Sequence, residues 1–288
     1  MLLVIALVAS AQYDPSVALS GLYYSKTAYC GNTAIRAWSC GPSCQFHSGF
    51  RVQGVYNNDT LDSQGYSGVQ PDGTIVVAFR GTHNIKNWIA DLDFTLVPYA
   101  FCSGCKVHQG FFDVYQEMAA AMLKDVQLML TKNPGATVFV TGHSLGAAVA
   151  LHAAVDIIRT TGAHVHLYNY GEPRVGNPAF AAWAAATLTE GRQFRVTHAR
   201  DPVPHLPPLD FGFIHTPHEL WYDNNGNTTW RDCKDSSTAE DPTCSDSVLP
   251  IDVEDHLLYL GSCTECSCTS AKHAEPGRTV KGSSLRSY

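Results

Sequence analysis

The fold is decided by one stretch of the sequence, residues 137–151, which reads TVFVTGHSLGAAVAL. Its first residues, β-branched and aromatic, predict a buried strand, and the alanine-rich segment from Ser144 onward predicts a helix. Between them stands Gly142-His143-Ser144-Leu145-Gly146, a G-x-S-x-G pentapeptide. Such a pentapeptide can arise by chance, but a sharp strand-to-helix turn is the setting in which it presents a nucleophilic serine. The context therefore predicts that Ser144 is a nucleophile.

The segments on both sides of this stretch alternate between strand and helix. Further strands are predicted at residues 74–79, 165–170 and 194–199, and further helices at 111–132 and 178–188. This alternation predicts an α/β protein with a central, mostly parallel sheet and helices on both faces. Residues 12–288 are expected to form a single domain, since α/β folds often reach about 250 residues.

The two ends of the chain are predicted to differ from the rest of the sequence. Residues 1–11 have the apolar run and the small-x-small end of a secretory signal peptide, so a secreted, extracellular protein is expected. No later stretch approaches the roughly 18 apolar residues of a transmembrane helix. Residues 269–288 are polar and are expected to form a poorly ordered tail. Asn58 and Asn227 begin N-glycosylation acceptor sequences.

The charge of the chain argues against one class of partner. The formal net charge is −7, from 19 basic and 26 acidic residues, and the basic residues form no block. Binding to nucleic acid depends on clustered lysine and arginine, so no nucleic-acid partner is expected.

The cysteines predict disulfides. The chain has 10 of them, an even number, and behind a signal peptide this indicates five disulfide bonds. Short spacing favours three local pairs, namely 40–44, 102–105 and 233–244. Cys30 is expected to reach one of Cys263, Cys266 and Cys268, and the sequence does not decide which. A metal site on Cys263-x-x-Cys266-x-Cys268 is the alternative interpretation of that cluster.

A serine nucleophile needs a base, and the base needs an acid to orient it. Asp201 directly follows the predicted strand 194–199, at the carboxyl end where the sites of α/β proteins assemble. Asp210 and Asp223 are rivals, but neither follows a convincing strand. His256 precedes the apolar run 257–260, which could anchor it, and is therefore favoured as the base over His215 and His218.

Ester hydrolysis also requires donors for the tetrahedral oxyanion. One is expected to be the backbone N–H of Leu145, the residue after the nucleophile. The second is expected from the loop that follows strand 74–79, where Thr82 offers both an N–H and a hydroxyl. A turn that merely ends the strand is the alternative interpretation of Gly81-Thr82.

Six motifs, in this order along the chain, resemble those of the class 3 lipases, secreted triacylglycerol lipases typified by filamentous-fungal enzymes. They are Phe79-Arg80-Gly81-Thr82, Val107-His108-Gln109-Gly110-Phe111, Thr141 to Gly146, Tyr170 to Asn177, Arg200 to Pro204 and Asp255-His256-Leu257. The resemblance extends from about residue 20 to residue 268. It implies an α/β-hydrolase fold, the triad Ser144, Asp201 and His256, an oxyanion hole at Thr82 and Leu145, and no metal or organic cofactor.

The resemblance further implies a short helical lid from about Asn84 to Phe94. Within it Ile85, Trp88, Ile89 and Leu92 recur at i, i+3, i+4 and i+7, an apolar stripe on one helical face. An enzyme that opens at a lipid–water interface needs such a stripe, so activity there on acylglycerols is expected. The protein is expected to be a monomer. Feruloyl esterase and phospholipase A1 activities on the same fold are the alternatives. A non-catalytic lipid-binding protein is disfavoured by the complete triad.

Overall fold

Parallel strands form the middle of the main sheet, and antiparallel strands extend it at both edges. The computed structural model describes residues 12–58, 60–188, 192–223 and 229–268. The strands in this part of the chain are β1 Arg51–Asn58, β2 Ser63–Val69, β3 Ile75–Phe79, β4 Leu96–Pro98, β5 Lys106–His108, β6 Val138–His143, β7 Val165–Tyr170, β8 Gln193–His198, β9 Glu219–Tyr222, β10 Arg231–Asp232, β11 Leu258–Tyr259 and β12 Ser262–Cys263.

The main sheet has the strand order β1-β2-β3-β6-β7-β8-β9-β10. Neighbouring strands from β3 to β9 pair in parallel, whereas β1, β2 and β10 join antiparallel. Strands β4 and β5 form a separate hairpin, as do β11 and β12. The predicted mostly parallel sheet is confirmed. The antiparallel edge strands were not predicted.

Helices cover both faces of this sheet, as expected. They are α1 Pro15–Thr27, α2 Asn32–Arg36, α3 Pro42–Gln45, α4 Ile85–Asp91, α5 Gln109–Lys132, α6 Leu145–Thr161, α7 Pro178–Leu188 and α8 Val253–His256. Single turns of 3-10 helix occur at Val203–His205, Leu209–Phe211 and Ser245–Ser247. In the described ranges no helix combines the length and the apolar character needed to cross a bilayer.

Alternating residues of the central strands supply two hydrophobic cores, because successive side chains of a strand point to opposite faces. In β3, Ile75 and Val77 pack in the core formed with α5, α6 and α7. Val76 and Ala78 pack in the core on the other face, formed with α1. Strand β3 is apolar at every position because both of its faces are covered.

All ten cysteines are paired in disulfides. The three local pairs, 40–44, 102–105 and 233–244, are confirmed. Cys30 bonds to Cys266 across 236 residues, and Cys263 bonds to Cys268. The alternative of a metal site on the C-terminal cysteines is therefore wrong, since their sulfurs are used in these bonds.

Three predictions fall on residues outside the described ranges. They are the signal peptide at residues 1–11, the tail at residues 269–288 and the glycosylation acceptor at Asn227. Asn58, the other acceptor, lies at the end of β1 and donates a hydrogen bond from Nδ2 to Glu117 Oε2 at 2.8 Å.

His152 is a buried histidine whose ring nitrogens make no hydrogen bond in the described structure. It lies on α6 and is surrounded by the rings of Tyr99, Phe112, Tyr115 and Phe180. Burial lowers the pKa of His152 from 6.5 to about 3. The neutral imidazole fits this aromatic environment, but the imidazolium does not, because nothing there stabilises its charge.

We expect His152→Leu to stabilise the protein under acid conditions. Because the pKa of His152 is lower in the folded state, the unfolded chain takes up a proton as the pH falls below about 6.5, and stability is lost progressively toward pH 3. At pH 4.5 this loss is of the order of 2–3 kcal/mol, and leucine removes it. The measurement is thermal unfolding at pH 7 and pH 4.5, with His83→Gln, at an exposed histidine, as the control. A gain from His152→Leu of equal size at both pH values would contradict the argument.

Candidate active site

The turn that carries Ser144 joins β6 directly to α6. Ser144 is buried and has φ +61° and ψ −133°, a strained conformation for a residue with a side chain. The flanking glycines are required by close packing. A Cβ on Gly142 would lie 2.1 Å from the carbonyl oxygen of Gly146, and a Cβ on Gly146 would lie 2.4 Å from the carbonyl oxygen of Phe79. The pentapeptide thus forms the sharp strand–turn–helix that its sequence predicts.

Asp201 and His256 form a buried hydrogen-bonded pair close to this turn. The Nδ1–H of His256 donates to Oδ2 of Asp201 at 2.8 Å, and both side chains are 1% exposed. The backbone N–H of Val203 donates to Oδ1 of Asp201 at 2.8 Å. Burial by itself would raise the pKa of Asp201, but His256 and these hydrogen bonds hold it below its usual value. Asp201 is therefore an ionised acceptor, and it leaves Nε2 of His256 as the basic nitrogen.

The carboxyl end of β7 connects this pair to Ser144. The backbone N–H of Ser144 donates to the carbonyl oxygen of Tyr170 at 3.0 Å. The next residue, Gly171, is so close to the pair that a Cβ there would lie 2.9 Å from Cε1 of His256 and 3.0 Å from Oδ2 of Asp201. The structure thus brings the three predicted triad residues together at one end of the sheet. Ser144 Oγ and His256 Nε2 are both buried and make no hydrogen bond to any described residue.

The rival residues are not in this arrangement. Asp210 is exposed on the 3-10 turn Leu209–Phe211, and Asp223 is exposed just after β9. His215 is buried and shares a hydrogen bond with the carbonyl oxygen of Pro204 at 2.8 Å. His218 has φ +73° in the turn before β9. Among the candidates from the sequence, Asp201 and His256 are therefore the pair that is hydrogen-bonded beside Ser144.

Tyr259 is a member of the site that sequence reasoning missed. Its hydroxyl donates to Oδ2 of Asp201, the same oxygen that accepts from His256. The sequence presents Tyr259 only as part of an apolar run after His256. Strand β11 places it against the acid, and that contact has no local signal in the sequence.

His143 and Tyr29 were also missed, although His143 lies within the pentapeptide. Nε2 of His143 is 2.8 Å from the carbonyl oxygen of His256, so it donates, and Nδ1 accepts from the Tyr29 hydroxyl at 2.8 Å. Burial keeps the pKa of His143 well below 6.5, so its ring stays neutral and retains these two roles. The chain of hydrogen bonds fixes the backbone of His256 relative to the nucleophile turn.

The loop that follows β3 packs against the same turn. A Cβ on Gly81 would lie 2.7 Å from the carbonyl oxygen of His143 and 2.8 Å from Cβ of Ser144. Thr82, the next residue, is half-buried, and its Oγ1 accepts from the backbone N–H of Asn84 at 3.3 Å. Leu145 is the first residue of α6, where backbone N–H groups have no acceptor within the helix. Both predicted oxyanion donors therefore lie beside Ser144.

The predicted lid helix is present but shorter than expected. Helix α4 begins after Asn84, whose side chain accepts from the N–H of Asn87 at 3.2 Å, and it ends at Asp91 rather than near Phe94. Leu92 lies beyond it with extended backbone, so the predicted i+7 position is not helical. The helix stops because the Asp93 carbonyl oxygen bonds to the His108 ring and the Asp93 carboxylate accepts from Thr95 at 2.7 Å.

The apolar side chains of this segment are wholly or partly buried. Ile85 is buried, and Ile89 is half-buried. Trp88 stacks on Phe111 with ring centroids 6.0 Å apart, and Trp88 and Leu92 both pack against the core that contains α5 and α6. The apolar side chains of α4 therefore pack inward, next to the residues that line the two cavities described below.

Two cavities adjoin the site. The larger, of about 420 Å³, is lined by Leu61, Trp88, Asp91, Leu92, Asp93, Thr95, His108, Gln109, Gly110, Phe111, Asp113, Val114 and Leu145. The smaller, of about 60 Å³, is lined by Tyr29, Thr82, His83, Ile85, His143, His256, Leu257, Thr264 and Glu265.

One group of residues in the described structure has the side-chain types of a metal site. Glu219, Cys233 and Cys244 lie within 4.8 Å of one another. Cys233 and Cys244 are bonded to each other as a disulfide, so they supply no thiolate for a metal ion.

Comparison with known proteins places the chain in a family. Residues 76–211 match the family model of lipase (class 3). Rhizomucor miehei lipase is 41% identical over 72% of this chain, and the chain spans 56% of that relative's length. The secreted mono- and diacylglycerol lipase 1 of Fusarium solani is 35% identical over 85% of the chain and 76% of its own length.

A solved structure agrees with this assignment. The structure of Rhizomucor miehei lipase with its propeptide superposes with a TM-score of 0.81 at 35% identity, over 89% of this chain and 84% of that one. The fold is therefore the α/β-hydrolase fold that the motifs implied. The chain belongs to the class 3 lipase family.

Proposed function

We propose that this chain is a secreted serine hydrolase that cleaves carboxylic esters of neutral lipids, acting as a triacylglycerol lipase. One observation carries the proposal. The Nδ1–H of His256 is bonded to the buried Asp201 carboxylate beside a serine in strained backbone geometry. This is the combination of acid, base and nucleophile that acyl transfer through a serine requires.

Acylation begins with proton transfer from Ser144 to His256. As the hydroxyl attacks the ester carbonyl, Nε2 of His256 takes its proton, and Asp201 stabilises the imidazolium that results. The N–H of Leu145 and the N–H and hydroxyl of Thr82 donate to the oxyanion of the tetrahedral intermediate. The intermediate expels the alcohol, which leaves with the proton from His256, and the acyl group stays on Ser144 as an ester.

Deacylation repeats these steps with water in place of the alcohol. His256 takes a proton from water as its oxygen attacks the acyl-enzyme carbonyl, and the same donors bind the second oxyanion. Collapse of this intermediate releases the fatty acid and returns the proton to Ser144. No metal ion or organic cofactor takes part in this scheme.

The covering helix favours lipid esters over soluble ones. Trp88, Leu92 and Phe111 line the cavity of about 420 Å³ that ends at Leu145, next to the nucleophile. A cleft of this size suits an acyl chain. An esterase for small phenolic esters gains nothing from an apolar lid, whereas a lipase at a lipid–water interface exposes those side chains to its substrate phase. Feruloyl esterase and phospholipase A1 activities are the rival proposals that use the same triad.

We expect hydrolysis of tributyrin to rise sharply once the substrate exceeds its solubility limit. Exposing each apolar lid side chain to water costs about 1.5–3 kcal/mol, so the open form is rare in solution. A lipid surface covers the same side chains again and shifts the population toward the open form. Trp88→Ala should reduce activity on emulsified substrate about tenfold, the order expected from that burial energy, while sparing dissolved tributyrin. The measurement is rate against tributyrin concentration across the solubility limit.

Asn87→Ala is the matched control, because it changes an exposed side chain of the same helix. Phosphatidylcholine and methyl ferulate, assayed with the same samples, test the rival activities. If the parent shows no rise at the limit and cleaves methyl ferulate faster than emulsified lipid, the proposal of a lipase is wrong.

A further inference from the structure

The smaller cavity is lined by His256 and has no lining residue in common with the large apolar cleft. Its lining includes the base His256, the predicted oxyanion residue Thr82 and the lid residue Ile85. The large cleft instead reaches the site at Leu145 and shares none of these residues. A substrate ester has an acyl side and an alcohol side, and the alcohol oxygen is the atom that His256 protonates. The cavity beside His256 therefore lies where the leaving alcohol is expected.

The buried wall of this cavity contains a hydroxyl group that has no hydrogen-bond partner among the described residues. Thr264 is 0% exposed, and its Oγ1 has no hydrogen-bond partner among the described residues. Its backbone, by contrast, is fixed by the hydrogen bond from Thr264 N–H to the carbonyl oxygen of Leu257 at 3.1 Å. A buried hydroxyl without a partner destabilises the free protein, so a ligand that supplies a polar group there is favoured.

Charge and rigidity at this position also suit a polar ligand. Glu265 lines the same cavity and is exposed, so it adds a carboxylate, a hydrogen-bond acceptor, to the residues around this space. The segment is held by the Cys30–Cys266 and Cys263–Cys268 disulfides and by a hydrogen bond from the Ser43 hydroxyl to the Cys266 carbonyl oxygen at 2.9 Å. A site held in this way loses little freedom when a ligand binds.

The volume decides which alcohols fit. About 60 Å³ accommodates roughly four water-sized groups, which suits part of a small polyol and not a second acyl chain. A triacylglycerol presents no free hydroxyl on its alcohol side, whereas mono- and diacylglycerols do.

We infer that Thr264 and Glu265 form a subsite for the free hydroxyl groups of the leaving glycerol when a partial acylglycerol is the substrate. The inference rests on the proposed ester hydrolysis through Ser144. The Thr264 hydroxyl exchanges a hydrogen bond with one glycerol hydroxyl, and the Glu265 carboxylate accepts from another.

The test is the partition of one acyl-enzyme between two alcohols. The parent enzyme is acylated with p-nitrophenyl oleate in the presence of glycerol and 1-propanol at equal concentration, and the ratio of monoolein to propyl oleate is measured. By microscopic reversibility an acceptor alcohol uses the site of the leaving alcohol. Thr264→Val should lower the ratio about fivefold to tenfold, the effect of one hydrogen bond. Glu265→Gln should lower it in the same direction, and Thr264→Ser, which keeps the hydroxyl, should restore it.

The ratio does not depend on how much of a sample is folded or on how the lid opens, because both products come from one acyl-enzyme. A ratio that stays within twofold of the parent in Thr264→Val overturns the subsite, even though the esterase activity stands. If the parent forms no oleoyl-enzyme, or Ser144→Ala gives the same products, the proposed function fails and the subsite fails with it. Hydrolysis of monoolein and triolein provides the second readout. Thr264→Val should lower the rate on monoolein, whose leaving alcohol is glycerol, and leave that on triolein unchanged.

Discussion

Replacement of Ser144 by alanine is expected to lower kcat on every ester substrate by about 10⁵–10⁶, the loss seen when a triad serine is removed. Without the hydroxyl no acyl-enzyme forms, and His256 and the oxyanion donors can only assist direct attack by water. The fold should be unchanged, because Ser144 Oγ makes no hydrogen bond to any described residue. The strained φ of +61° is tolerated no worse by alanine than by serine.

The measurement is hydrolysis of emulsified lipid and of dissolved tributyrin, combined with intact-mass labelling by a phosphonate that reacts with activated serines. The parent should gain one adduct, and Ser144→Ala none. Ser25→Ala is the matched control, because Ser25 is buried and its hydroxyl also has no partner in the described structure. Activity of Ser144→Ala within tenfold of the parent would remove Ser144 from the mechanism.

Asp201→Asn is expected to lower kcat by about 10⁴, by analogy with the same change in a serine protease triad. The carboxylate accepts from His256 Nδ1–H, from Tyr259 and from the Val203 N–H. An amide is nearly the same size but presents N–H groups on one side. When the NH₂ group of the amide faces Nδ1 of His256, Nδ1 accepts and the ring proton lies on Nε2. Nε2 then cannot accept the proton of Ser144.

The predicted loss is one of rate, with KM little changed, because Asp201 does not contact the substrate. The circular dichroism spectrum and the yield of folded protein should match those of the parent. Asp210→Asn, at the exposed rival position, is the control and should keep full activity. Equal losses in the two variants would show that Asp201 has no special role.

The sequence predicts the central part of the fold well for a physical reason. Parallel strands covered on both faces favour unbroken apolar runs, so residues 75–79 and 138–140 are recognisable as strands without any partner. Strand β2 is also wholly buried, but it reads Ser-Gln-Gly-Tyr-Ser-Gly-Val. Its glycines are there for close approach, since a Cβ on Gly65 would lie 2.7 Å from the Phe79 ring. No local pattern marks such a strand.

The site residues likewise fall into two groups, those that a local sequence pattern marks and those that contacts between distant segments bring together. The sequence around Ser144 identifies it, because the strained turn and its two closely packed glycines are formed by neighbouring residues. The pairing of Asp201 with His256, the hydrogen bond from Tyr259 and the choice of Cys266 by Cys30 are contacts between distant parts of the chain. Sequence reasoning could only rank His256 above His215 and His218, because proximity in space is set by the assembled sheet. The Thr264 hydroxyl, which has no hydrogen-bond partner among the described residues, cannot be recognised before that assembly is known.

The bond between Cys30 and Cys266 also has a consequence in time. A ribosome makes the chain from its N-terminus, so Ser144 emerges long before His256, and Cys30 waits for a partner 236 residues away. During synthesis Ser144 therefore exists without His256, and the segment that carries His256 is fastened only after Cys266 has been added. Under the mechanism proposed above, the growing chain has a nucleophile but no base in this interval, so hydrolysis of lipid begins only after His256 has joined the fold.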